Sequence, residues 1–149
     1  MMSTDLAYNA AYALLGDSFL AADNLSTVTV PLLWPNQPYQ EPQSGPWIQV
    51  EMAGNDLSPV STGNGLVWRE TGQIWLHCFT PARRGDILAR AILRQIGQLI
   101  RRRIPIQDLT ATAMNVGMGE QGEDTGKWWR ISMCVDWYID DPDPVPAGA

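Results

Sequence analysis

A chain of 149 residues, 45 % of them apolar, is the size of one domain with a real hydrophobic core. Its net charge of −6, from 16 acids against 10 bases, argues against a dedicated nucleic-acid binder, whose affinity would come mainly from neutralising phosphates. No apolar run approaches the ~18 residues of a membrane span, and no basic segment leads into an apolar one near Met1, so neither a transmembrane helix nor a signal peptide is expected.

Ser3 or Thr4 can cap a first helix, with Asp5 near its positive end and Leu6, Ala10, Ala13 and Leu14 as a modest apolar stripe; this helix is expected to run to about Ala22. Residues 25–33 are rich in β-branched side chains and read as extended. Pro31, Pro35 and Pro38 then stiffen the backbone and remove donors, so residues 30–39 form a kinked, extended arm carrying Trp34 and Tyr39. Such an arm fits either a surface made for a neighbouring subunit or a loop lying across its own core. Residues 47–52 alternate as a strand, and the Gly-, Asn-, Ser- and Pro-rich stretch 54–65 reads as a surface loop.

Residues 66–80 read as extended, with a possible break at Gly72. Ile74, Leu76 and Cys78 face one way and Trp75, His77 and Phe79 the other, so both faces of this strand are expected to be covered. The clearest pattern follows, a helix over 86–102. At 100° per residue Leu88, Ile92, Ile96 and Leu99 share one face, while Arg90, Arg94, Arg101 and (if helical) Arg83 take the opposite one. Pro105 ends it. Residues 106–116 and 127–139 then form an antiparallel hairpin around the loop 117–126. In its second strand Trp129, Ile131, Met133, Val135, Trp137 and Ile139 form a buried face, and Trp128, Arg130, Ser132, Cys134, Asp136 and Tyr138 a wetter one. Residues 1–141 are read as one domain, and the acidic, Pro-rich segment 142–149, with Asp140 and Asp141 leading into it, as a disordered tail. The expected architecture is α+β: a mixed or antiparallel sheet of four or five strands with two helices packed on one face.

Catalytic signals are sparse. His77 is the single histidine, set among apolar neighbours, and reads as a packed residue with one hydrogen bond. Cys78 and Cys134 read as buried free thiols of a cytoplasmic protein and, with His77, are too few for a zinc site. No phosphate-binding Gly-rich motif occurs, and Glu120, Glu123, Asp124 and Asp56 lack calcium-loop spacing. The expectation is a non-enzyme without a cofactor. Seven of the ten bases lie between Arg83 and Arg103. These arginines are the solvated face of a helix, partners for a neighbour's acids, or the lining of a pore past which phosphates slide.

Three stretches, WPNQPYQEP…PWIQVEM, ETGQIWLHCFTPARRGDILARAILRQI and KWWRISMCVDWYI, together resemble the tail terminator family of long-tailed bacteriophages. The resemblance extends from about Leu6 to Asp141. It implies a structural virion protein at the head-proximal end of the tail, assembled in the host cytoplasm. Such a protein forms a ring, typically of six subunits, that caps the tail tube, ends its polymerisation and helps join head to tail. Implied partners are further copies of the chain, the tail tube protein and a connector or stopper protein, with DNA passing through without specific contact. On this reading Trp34, Pro35, Asn36, Tyr39 and Trp47 are candidate subunit or tube contacts, as is the loop 55–65. Arg83, Arg84, Arg90, Arg94 and Arg101 are candidates for a lumen or intersubunit ion pairs, and the loop 117–126 is a candidate for facing tube or lumen. The alternatives are another head–tail connector, or a small nucleic-acid-binding module using the Arg-rich helix.

Overall fold

The structure, a computed structural model, describes residues 4–23, 26–35, 45–60, 66–82, 86–102, 109–121 and 127–142. The first helix, α1, covers Asp5–Leu15, seven residues shorter than expected. Gly16 stops it: the residue sits at φ 66°, a left-handed conformation that suits glycine at a helix C-terminus, and its N–H closes on the Tyr12 carbonyl. The chain then reverses into a hairpin of β1 (Ser18–Asp23) and β2 (Ser26–Leu33). Ala21 goes into the core and Leu20 is left 64 % exposed.

Strand β2 pairs in parallel with β3 (Trp47–Pro59), which pairs antiparallel with β4 (Val67–Pro81). Helix α2 (Ile87–Arg102) follows. The last strands are β5 (Leu109–Val116), the two-residue β6 (Glu120–Gln121) and β7 (Trp128–Pro142). Among the described residues the sheet runs β1-β2-β3-β4-β7-β5, curled as a half-barrel, with β6 attached to β7. The α+β class and mixed sheet agree with expectation, but six strands lie in its path instead of four or five. The extra strand in the path comes from residues 18–23, expected in a helix; β6, off the path, pairs with β7 inside the 117–126 loop.

Two strands also outrun their expected ends. The stretch 54–59 belongs to β3, where a bulge between Gly54 and Asp56 absorbs the irregularity that otherwise reads as a loop. Asp140 to Pro142 continue β7 as partners of Arg69 to Val67, because Arg69 holds the Asp140 carboxylate with two hydrogen bonds of 2.7 and 3.0 Å. The remainder of the acidic tail, and the helix stop at Pro105, lie outside the described residues.

Both helices bury against one sheet face. Ala7, Ala10, Ala11 and Leu15 of α1 join Ala89, Ile92, Leu93, Ile96 and Ile100 of α2 over Ile48, Val50, Ile74, Leu76, Ile131, Met133 and Val135. Leu88 and Leu99, expected on the apolar stripe of α2, are half-buried at its margin. The start of α1 is fastened by Glu70, 2 % exposed, whose carboxylate accepts from the Thr4 N–H at 3.0 Å and the Thr4 hydroxyl at 3.2 Å. A buried anion at the positive end of a helix is favourable there.

Strand β4 does not break at Gly72. It is paired on both sides along its length, and the Trp137 indole lies across the glycine from the neighbouring strand. A Cβ at this position would collide with the Trp137 ring and the Ala53 carbonyl oxygen. Gly72→Ala should therefore cost about 1–3 kcal/mol, the usual range for overpacking a filled core, read as a lower urea midpoint at unchanged slope.

Candidate functional site

The period-2 alternation of β3, β4 and β7 that sends one set of side chains to the helices sends the other set to a face on which no described helix packs. At one end of this face Trp47 stacks on Phe79, with centroids 4.1 Å and planes 9° apart, and Trp128 meets Trp47 edge-on at 5.9 Å. With Leu33 these rings form a second, small apolar cluster. Further along, the registers place Gln49, His77 and Ser132 in one row, and Glu51, Trp75, Cys134 and Asn115 in the next. The expectation that β4 is covered on both sides thus holds for Phe79, while Trp75 and His77 are only half-buried.

This second region holds a cavity of about 390 Å³. Its floor is Trp75 and His77, whose rings are parallel within 9° with centroids 6.0 Å apart, together with Arg130, Ser132 and Cys134. Its wall is the chain from Asn115 to Met118, with Glu120. Val116 and Met118 are 45 % and 88 % exposed, so apolar surface rims the opening. Arg130 is held by the Glu120 carboxylate, its Nε donating at 3.0 Å.

His77 has two polar neighbours where one was expected. Its Nδ1 lies 2.6 Å from the Ser132 hydroxyl, and its Nε2 lies 3.3 Å from Glu51 Oε1. A carboxylate only accepts, so the neutral ring carries its proton on Nε2, facing Glu51, and Nδ1 accepts from Ser132 Oγ–H. Serine, histidine and glutamate in line are the components of a nucleophilic relay. Acyl transfer also needs converging donors for an oxyanion. Ser132 instead stands mid-strand, its flanks engaged in the ladders to β4 and β5, and its own carbonyl accepts from Gly117 N–H at 2.9 Å. The described residues present a hydrogen-bonded chain across three strands without that second element.

Of the residues singled out from the sequence, Trp34 is 2 % exposed. Its indole N–H donates to the Gly16 carbonyl at 2.7 Å, and Tyr8 and Tyr12 pack on it at 5.4 and 5.1 Å. Trp47 is 7 % exposed within its own cluster. Both side chains are packed inside the chain, Trp34 against α1 and Trp47 within its own cluster. Pro35 is exposed; Asn36, Tyr39, Arg83 and Arg84 lie outside the described residues. Arg90, Arg94 and Arg101 are exposed on α2, and Arg90 pairs at 3.2 Å with Asp86 of its own chain. Within the expected loop contacts, 55–59 are strand and Glu120–Gln121 pair with β7. The cavity was not foreseen. Alternation set His77 with Trp75 and Phe79 on an apolar face and Ser132 on the wetter face of its strand, but only the register pairs them.

Burial pushes the His77 imidazole below its ordinary value, against an opposing pull from Glu51, with Arg130 adding to the depression. The unfolded chain therefore takes up this proton at higher pH than the folded one, so stability falls as pH drops below the unfolded value of about 6.5. Arg69 lowers Asp140, whose contribution is present above the ordinary carboxylate range and is lost on acidification through it. Urea midpoints should accordingly be flat near neutrality and decline below about pH 6.5. In His77→Gln the decline should begin only in the carboxylate range, and NMR titration of this single histidine should give a midpoint below the free value.

A family model described as "Phage tail terminator protein" matches residues 13–137. No curated protein matches the sequence. Seventeen chains of solved structures match. One of them, 14 % identical, aligns with a TM-score of 0.60 over 97 % of this chain and 99 % of its own, which shows a shared fold.

Proposed function

Because the chain belongs to the phage tail terminator protein family, a structural component of the virion tail, we propose that it forms a ring that caps the tail tube and ends its polymerisation. The ring, most simply a hexamer, sits at the head-proximal end of the tail, is assembled in the host cytoplasm and contributes to head–tail joining. Its partners are copies of itself, the tail tube protein and a connector or stopper protein. Packing and not catalysis does the work: a ring seated on the last tube layer covers the surface that would recruit another. A heterologous contact repeated between copies closes such a ring.

The family match over residues 13–137 carries this reading. It is supported by a sheet face on which no described helix packs, rimmed by the exposed Val116 and Met118. The exposed arginines of α2 suit either a neighbour's acids or the weak, unspecific contact that a passage for DNA requires. Net charge of −6 favours both over a role as a DNA-gripping module.

Negative-stain microscopy of particles assembled without this protein tests the proposal. Overlong tails, or filled heads beside unattached tails, are the expected result. Virions of normal tail length would overturn it.

A further inference from the structure

We infer that the outward face of α2 in one copy docks on the sheet face of the next copy that no described helix covers. Ile87 enters the cavity there and the arginines of α2 meet carboxylates beside it; this inference rests on the self-assembly proposed above. At 100° per residue Ile87, Arg90, Arg94 and Arg101 fall within about 60° of one another. Ile87 is 83 % exposed. Arg94 and Arg101 are exposed and have no carboxylate partner among the described residues, whereas Arg90 has Asp86. A bare isoleucine flanked by unpaired cations has the make-up of a contact with an apolar centre and a charged rim.

The sheet face carries the complement. Trp75, Val116 and Met118 give the cavity of about 390 Å³ an apolar lining with room for a branched side chain. The registers place Glu51 beside Trp75, Asp136 one row further along β7 from Cys134, and Asp56 in the row after that. None of these three carboxylates has a Lys or Arg partner among the described residues. Arg69 and Arg130, which share this face, are already engaged by Asp140 and Glu120, so the face keeps an acidic excess. Spacing agrees as well as charge. Asp136 stands about 7 Å along the strand from the cavity lining, and Arg94 about 10 Å along the helix from Ile87, a difference that a long Arg side chain spans. Such a face repels nucleic acid and accepts a basic helix. Because α2 packs on the other side of the sheet, the contact joins two different surfaces of one chain. It is heterologous, the kind that closes a ring, and it gives the sheet a helix on its second side.

The test mixes two full-length variants, each able to make only half of the contact. Ile87→Asp, labelled with ¹⁵N, keeps the cavity and loses the knob; unlabelled Asn115→Arg keeps the knob and blocks the cavity. Ile87 and Asn115 are both exposed, so each variant should fold, as an unchanged melting temperature would verify. Saturable amide shifts at Trp75, Gly117, Ser132 and Cys134 of the labelled chain are expected. Adding Arg94→Glu to the unlabelled chain should weaken binding about tenfold, and Asp136→Lys in the labelled chain should restore it. Absence of saturable shifts overturns the inference. So do equal shifts from an unlabelled chain that itself carries Ile87→Asp, and so does failure of the folded charge-swapped pair to regain affinity. Saturable shifts at Arg94 and Arg101 of labelled wild-type chain on adding short duplex DNA, with none on adding Asn115→Arg, would assign these arginines to the passage for DNA instead. Overlong tails in the microscopy experiment combined with no pairing of the two variants would remove this inference and leave the terminator role standing.

Discussion

The two-sided pairing of β4 is the constraint from which the rest of the molecule follows. All fifteen residues of this strand have partners on β7, and most have partners on β3. With pairing settled on both edges, the pleat leaves no choice of side-chain direction. Ile74, Leu76 and Cys78 must meet the helices, and Trp75 and His77 must face away from them. A slip of one residue would bury His77 and expose Leu76. Gly72 keeps that register compatible with Trp137, since any side chain there would displace the indole.

The same geometry accounts for the tryptophans. Seven in a chain of this length suggest a surface devoted to partners. Yet Trp34, Trp47, Trp128 and Trp137 are at most 7 % exposed. Trp34 joins the end of β2 to the C-terminus of α1 through the Gly16 carbonyl, while Trp137 fills the core above Gly72. Trp47 and Trp128 finish one end of the opposite face. The aromatic excess is therefore largely consumed in covering both sides of a curled sheet on which the described helices pack on only one. Trp75 remains partly open to solvent at the centre of that second face, beside the apolar rim of Val116 and Met118.

Much of the fold was legible before any coordinates. Helix α2 and strand β7 carry uninterrupted periodicities, and a buried face imposes its period on the sequence wherever it is long enough. The errors fall where local signals were short or opposed. Gly16 ends α1 by a single left-handed residue, after which Phe19 to Ala22 are as compatible with helix as with strand. The Gly-rich start of 54–65 hid a bulged strand, and the acidic run at 140–142 looked unable to pair until Arg69 was seen opposite it. The candidate site was less readable than the fold. Trp34 and Trp47 stand in or beside a Pro-rich arm, a setting that a core and an interface share, and both are buried within the chain.

From its sequence alone this protein was committed to an α+β domain with an Arg-faced amphipathic helix, a half-buried final strand and membership of a phage tail family, because those features are local periodicities and ordered motifs. Tertiary structure alone decided that Glu51, His77 and Ser132 lie in line, that Trp75 borders a cavity and that Trp34 is sealed inside. The first two are matters of register between strands distant in the chain, and the third of α1 packing on the end of β2. Alternation tells which side a residue faces, but only hydrogen-bonded pairing tells which residue stands beside it.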